Sequence, residues 1–147
     1  MSSCMARSGV EELFIDTGAF IARYDADDQH HATAVAAWAE LAPPGGRWRL
    51  VTSGGVLGET FTLLGRRAGF PFAAGVANAI LDSPSFSVRW SDPSVAGAAL
   101  VLFSKFADQA VSWVDCESFA VMRSARITRA FTFDRHFEDA GFHRWAG

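Results

Sequence analysis

The chain has 147 residues, of which 50% are hydrophobic and 20% are charged, and its formal net charge is -3. This length suits one domain with a proper core, and the composition excludes a disordered chain. The negative charge argues against non-specific binding to nucleic acid. We expect no membrane-spanning segment and no signal peptide, since no apolar run is long enough. With only 2 cysteines, we expect no disulfide framework and a cytoplasmic location.

The stretch Leu13–Phe20 predicts a buried strand that hands over directly to a helix. Leu13–Ile15 is short and wholly apolar, which is typical of a central strand buried on both faces. Asp16 follows it, the next two residues break the run, and a helix is expected from Ala19. Ligands of open α/β sheets bind beyond the carboxyl ends of strands, so Asp16 is either a helix cap or a site residue.

Further along the chain, strands and helices alternate. The patterns predict a polar turn at 25–30, a loop at 43–46, strands at 48–51, 86–90, 130–133 and 142–145, and helices at 31–41, 55–68, 71–81, 92–106 and 112–123. This alternation predicts a mainly parallel sheet with helices on both faces. We expect a single domain over 1–147, with residues 1–10 as a flexible tail.

Glu59 lies on an apolar face of the predicted helix 55–68. Val56 and Leu63, three residues before it and four after it, share that face. A buried, unpaired carboxylate is costly unless it is neutralised or binds a metal ion. Glu59 is therefore a candidate metal ligand, with a salt bridge to an arginine as the alternative.

Asp115 occupies a similar position in the predicted helix 112–123. Phe119 and Met122 share its face, and Ser112 precedes it by three residues, as in a variant of the capping box. A capping role and a metal-binding role are compatible here. The helix dipole favours an ionised carboxylate in the first turn, which suits a metal ligand.

Asp134 follows the predicted strand 130–133 much as Asp16 follows its strand. If the two strands are parallel neighbours, both acids project from the same edge of the sheet, although turn initiation is an alternative role for Asp134. Carboxylates gathered in this way cannot all ionise without a cation between them. Oxygen ligands favour Mg²⁺ or Mn²⁺, and no Cys/His spacing matches a zinc site. Such an ion can activate water and stabilise charge on a phosphate, so no protein nucleophile is required.

Four stretches resemble, in chain order, the acidic motifs of PIN-domain nucleases: residues 14–17, 58–60, 112–122 and 132–142. The likeness is closest to VapC-type toxins of bacterial toxin–antitoxin pairs, and it extends from about Leu13 to Phe142. It implies a PIN-like three-layer α/β/α sandwich with a mainly parallel central sheet. It also implies an Mg²⁺- or Mn²⁺-dependent endoribonuclease that hydrolyses RNA phosphodiester bonds with metal-activated water.

The resemblance assigns roles to the four acids. It implies that Asp16 and Asp115 are the principal metal ligands, and that Glu59 and Asp134 complete the catalytic site directly or through water.

The resemblance also concerns the surroundings of the site. Thr17 and Ser112 match positions that often carry a hydroxyl beside the metal. The implied partners are a cognate VapB-type antitoxin, which covers the active-site groove, and a second copy of the chain in a homodimer. Candidates for holding the RNA backbone are the arginines near the motifs, Arg66, Arg67, Arg123, Arg126 and Arg135.

Two rival functions stay open at this point. The first is a phosphotransfer or receiver domain, in which a strand-end Asp is phosphorylated. Such sites usually need a lysine beside the phosphate, and Lys105, the only lysine, is predicted to lie within a helix. The second rival is a non-catalytic PIN-like protein that binds RNA or acts as a scaffold, against which the intact acids argue.

Overall fold

The computed structural model describes residues 9–41 and 46–145. Most of the predicted tail, Cys4 and most of the predicted loop 43–46 therefore lie outside the described residues.

Five strands and seven helices occupy the described residues, together with a 3₁₀ turn at Ala107–Gln109. The strands are β1 (Glu11–Ile15), β2 (Trp48–Ser53), β3 (Phe86–Arg89), β4 (Arg129–Phe131) and β5 (His143–Trp145). The helices are α1 (Thr17–Tyr24), α2 (His31–Leu41), α3 (Gly54–Ala68), α4 (Phe70–Asp82), α5 (Pro93–Lys105), α6 (Trp113–Ala125) and α7 (His136–Asp139).

The strands form one sheet in the order β3-β2-β1-β4-β5, and every neighbouring pair is parallel. β1 lies at the centre, and its residues Leu13, Phe14 and Ile15 are completely buried. A wholly apolar strand is what this position requires, because the helices of the outer layers cover both faces of a parallel sheet. The predicted α/β class with its parallel sheet is thus confirmed.

Side-chain caps begin three of the helices, and the one at Ser112 was predicted. Ser53, Asp92 and Ser112 each accept a hydrogen bond from a backbone N–H in the first turn of the helix that follows. Asp16 differs. It occupies the position before α1, yet its side chain makes no capping hydrogen bond, and the helix begins at Thr17 rather than Ala19.

The last residue predicted for the strand 130–133 is wrong, because β4 stops at Phe131. The Thr132 hydroxyl accepts a hydrogen bond from the backbone N–H of Asp134 at 3.0 Å, which turns the chain away from the sheet. Asp134 therefore lies two residues beyond the strand and not directly at its end. The predicted edge strand is confirmed as β5 at the far side of β4.

Aromatic packing joins α6, which carries Asp115, to α7. Phe119 is completely buried, and its ring meets Phe137 of α7 edge-on with centroids 4.9 Å apart. The same ring also packs against Phe106 and Phe142. No helix within the described residues is long and apolar enough to cross a membrane.

We expect Phe119→Ala to lower the free energy of unfolding by about 3–5 kcal/mol, because it leaves a cavity where α6 meets α7. Urea denaturation followed by circular dichroism measures this change. Val101→Ala is the control, since Val101 is 68% exposed and its truncation should cost less than about 0.5 kcal/mol. Equal losses from both substitutions would contradict this account of the core.

Candidate active site

All four predicted acids line one open cleft of about 820 Å³ beyond the carboxyl ends of β1 and β4. β1 and β4 are parallel neighbours, with Ile15 opposite Phe131, so the segments that follow them leave the sheet side by side. α3 and α6 bring in the other two acids. Thr17 and Ser112 also line the cleft. The structure therefore brings all six residues to one cavity, and their catalytic and metal-binding roles stay predictions.

Asp16 lies on the floor of the cleft and is 5% exposed. Its Oδ2 accepts a hydrogen bond of 2.7 Å from the Thr132 hydroxyl. Burial raises the pKa of Asp16 to about 6, against the lowering effect of its hydrogen bonds from Thr132 and from the backbone of Thr17. The charges of Asp134 and Glu59 add to the rise. The carboxyl is thus held in one orientation but ionises at a cost.

Asp115 lies in the first turn of α6, and its side chain is 13% exposed. Its backbone N–H donates to the Ser112 hydroxyl at 3.0 Å, so the predicted cap is present. The pKa of Asp115 is raised to about 8. Burial is the largest cause, and the charges of Asp16, Asp134 and Glu59 contribute to the same rise. Both principal acids are therefore held close to other carboxylates.

Glu59 reaches the cleft from α3 and is half-buried. Val56 on the same face is completely buried and Leu63 packs against the core, as the spacing predicts. The alternative interpretation, a salt bridge to an arginine, is not found for Glu59 within residues 9–41 and 46–145.

His136 is a site residue that the sequence reasoning missed. Its Nδ1 lies 3.3 Å from Oδ1 of Asp134 and 3.8 Å from Oδ2 of Asp115. One ligand atom from each of these three residues lies within 4.8 Å of the others. The signal was local: the backbone N–H of His136 donates to Oδ1 of Asp134 at 2.8 Å, and such a turn folds the ring back over the acid.

The residues fit a divalent cation. Nδ1 of His136 is buried and has no hydrogen-bond partner within the described residues, and the same holds for the Thr17 hydroxyl. Ligands that are neighbours around an octahedral ion at about 2.1 Å lie roughly 3 Å apart, close to the separations of Nδ1 from Asp134 and Asp115. An imidazole nitrogen thus lies among the candidate ligands beside the expected carboxylate oxygens.

Of the arginines predicted to hold RNA, Arg135 lines the cleft. Arg67 instead pairs with Asp25 and Asp28 at 3.3 and 3.4 Å, and Arg126 lines a separate cavity. Arg144 was missed. It lines the cleft because β5 lies beside β4, a neighbour relation that the spacing of the two segments does not reveal.

Comparison with known proteins identifies the class. The family model of the PIN domain matches residues 13–143. The chain is also 38% identical over 130 residues to VapC20 of Mycobacterium tuberculosis, a 23S rRNA-specific endonuclease, in an alignment that covers 88% of this chain and 95% of that relative. The chain therefore belongs to the PIN-domain family. Within that family it is a nuclease of the VapC type.

Solved structures agree with this assignment. The crystal structure of VapC20, a sarcin–ricin loop cleaving toxin, has a TM-score of 0.79 and covers 88% of this chain and 95% of its own. VapBC2 from Rickettsia felis, bound to a promoter DNA fragment, has a TM-score of 0.67 at 9% sequence identity, and the alignment covers 91% of this chain and 97% of that one. FitAcB from Neisseria gonorrhoeae has a TM-score of 0.66 at 14% sequence identity, and the alignment covers 90% of this chain and 96% of that one. The latter two show the fold alone.

We expect the metal-free protein to lose stability as the pH rises from about 4 to about 8. The folded-state pKa values of Asp16 and Asp115, about 6 and about 8, exceed the ordinary value of 3.8, so the folded state binds protons that the unfolded state has released. Thermal unfolding in EDTA at several pH values measures this loss. Added Mg²⁺ or Mn²⁺ should raise the Tm more at pH 8 than at pH 5.

Asp115→Asn provides the matched comparison, because it removes the group with the larger shift and should flatten the dependence on pH. Contradiction would come from a wild-type Tm in EDTA that rises between pH 5 and pH 8, or from an unchanged slope in Asp115→Asn.

Proposed function

We propose that the chain is an Mg²⁺- or Mn²⁺-dependent endoribonuclease and the toxin of a toxin–antitoxin pair. The observation that carries this proposal is the convergence of Asp16, Glu59, Asp115 and Asp134 on one cleft in a chain that is 38% identical to a ribosomal-RNA endonuclease toxin. The proposed nuclease is a single domain that acts in the cytoplasm, where it would meet both RNA and an antitoxin.

The proposed ligand set combines the roles that the resemblance implies with the side chains that line the cleft. Asp16 and Asp115 are the principal ligands, while Glu59 and Asp134 complete the site directly or through water. His136 contributes Nδ1 as a nitrogen donor beside Asp115 and Asp134. Imidazole suits Mn²⁺ better than Mg²⁺, which keeps several waters and prefers oxygen, so this donor supports Mn²⁺.

The residues of the chain prepare the site for a cation in two ways. The hydrogen bond from Thr132 orients the Asp16 carboxylate, and the Ser112 cap fixes the start of the helix that carries Asp115. The raised pKa values of both acids mean that a cation, on binding, would displace protons and relieve repulsion. A divalent ion held there supplies a Lewis acid for the scissile phosphate and a more acidic water.

The proposed substrate is RNA. VapC20 is named as specific for 23S rRNA and as cleaving the sarcin–ricin loop, so that loop is the first RNA to test. Arg135 lines the cleft and supplies positive charge that would hold a phosphate beside the cleaved bond, whereas Arg144 also lines the cleft but pairs with Glu138 at 3.0 Å. Such contacts position the backbone without reading the sequence.

The proposed protein partners are a VapB-type antitoxin and a second copy of the chain. Neighbouring exposed apolar side chains support such interfaces, since large apolar patches are uncommon on the surface of a monomer. α5 presents Leu100, Val101 and Phe103, which are 56%, 68% and 42% exposed, and Phe70 at the start of α4 is 61% exposed.

In a cleavage assay with a short RNA that carries the sarcin–ricin loop, we expect strand scission that EDTA abolishes and Mg²⁺ or Mn²⁺ restores. Asp16→Asn and Asp115→Asn should each lower the rate at least 100-fold, because each removes part of the cation site, whose contribution is several kcal/mol. Asp108→Asn is the matched control. Asp108 is exposed on the 3₁₀ turn and does not line the cleft, so its rate should match the wild type.

Scission that survives EDTA, or full activity in Asp16→Asn, would overturn the proposal. Binding of Mn²⁺ without scission of any RNA would favour the non-catalytic alternative.

A further inference from the structure

Two flat rings stack on each other in the wall of the cleft. The rings of His30 and Phe133 lie with centroids 4.2 Å apart and planes 3° from parallel. Both residues line the cleft that contains the acids. Neither belongs to the cluster of possible metal ligands formed by Asp115, Asp134 and His136. Metal binding therefore does not account for the stacked pair.

The position of Phe133 is tied to the acids by its neighbours in the chain. The hydroxyl of Thr132 donates to Asp16 at 2.7 Å and accepts from the backbone N–H of Asp134 at 3.0 Å. On its inner side, the Phe133 ring meets the buried ring of Phe131 edge-on, with centroids 5.9 Å apart. The ring is thus held at a set place beside two of the four carboxylates.

His30 is fixed by the turn between α1 and α2. Its backbone N–H donates to Oδ1 of Asp28 at 2.9 Å, and its carbonyl accepts from the N–H of Ala34 at 2.9 Å. Arg67 pairs with Asp28 at 3.4 Å and ties the turn to α3. One face of the His30 ring lies on Phe133 and the side chain is half-buried, so the opposite face is the one on which a ligand would stack.

The chemistry of this wall suits a nucleobase. Proteins bind single-stranded RNA by stacking unpaired bases on aromatic side chains, and this interaction needs no charge on the protein. Carboxylates line the neighbouring floor and repel the phosphates of RNA, so a contact with a base gains affinity that contacts with the backbone do not supply there.

Resting on the function proposed above, we propose that the His30–Phe133 pair is a stacking platform for one unpaired base of the RNA, next to the bond that is cleaved. Loss of one stacked base weakens binding by roughly 5- to 100-fold. The platform would select unpaired RNA over a duplex, because a base can reach His30 only when it leaves its own stack.

The test uses single-stranded RNA oligonucleotides in which 2-aminopurine replaces one base at successive positions. The protein carries Asp115→Asn and the buffer contains EDTA, so that binding is measured without hydrolysis. We expect the fluorescence to change on binding at one position, because the base there leaves its own stack. His30→Ala should abolish that fluorescence change and raise the Kd by roughly 5- to 100-fold, whereas His30→Phe, which keeps a flat ring, should stay within about threefold of the parent.

His143→Ala is the matched control, since His143 is exposed at the start of β5 and does not line the cleft. Thermal unfolding checks that each variant folds, and His30→Gln replaces His30→Ala if the latter does not. An unchanged Kd and an unchanged fluorescence response in His30→Ala, or an equal loss of affinity in His30→Phe, would overturn the platform.

Cleavage by the otherwise unaltered protein separates the two proposals. If RNA is cleaved in an EDTA-sensitive manner and His30→Ala leaves KM unchanged, the platform is wrong and the nuclease function stands. If no RNA is cleaved but the fluorescence change depends on His30, the nuclease function is wrong and the platform stands. A rise in the KM of His30→Ala with kcat nearly unchanged supports both the platform and the nuclease function.

Discussion

Electrostatic repulsion among carboxylates at one edge of the sheet is the constraint on which this structure depends. Asp16 and Asp115 have raised pKa values because burial and neighbouring acids both oppose their ionisation. A fold that keeps such groups together loses stability at neutral pH unless a cation joins them. The rest of the molecule holds the acids in place: the apolar strands below the cleft, the helices that bring in two of them, and the aromatic packing of α6 on α7.

Short local hydrogen bonds convert this general architecture into a site. Thr132 joins Asp16 to the backbone of Asp134, and Asp134 in turn folds His136 back over the cluster. These contacts connect the segments that follow β1 and β4, so the orientation of one acid depends on the other. The same segment carries Phe133, which places a flat ring stacked on His30 beside the candidate metal ligands Asp134 and His136. Residues 132–136 thus carry two of the candidate cation ligands, Asp134 and His136, and one ring of the proposed surface for a base.

Much of this arrangement could be predicted from the sequence, because the signals are local. The apolar run Leu13–Ile15 indicated a central strand. Because Glu59 and Asp115 share faces with apolar residues, the sequence indicated that both point inward as candidate site residues. The end of β4 was misjudged, since the alternation of Phe131 and Phe133 continues the strand pattern while the Thr132 hydroxyl ends it. His136 was missed although its turn with Asp134 is a local signal, and Arg144 was missed because its place depends on the order of the strands, which residue spacing alone does not encode.

The central claim is that the cleft holds a divalent cation between these acids. The most direct measurement is anomalous X-ray diffraction from crystals of the protein grown with Mn²⁺, collected near the manganese edge. The account predicts a peak within bonding distance of carboxylate oxygens of Asp16 and Asp115, with Nδ1 of His136 facing the occupied cleft. Crystals saturated with Mn²⁺ that show no peak in this cleft, and acids whose carboxylates turn away from one another, would contradict it.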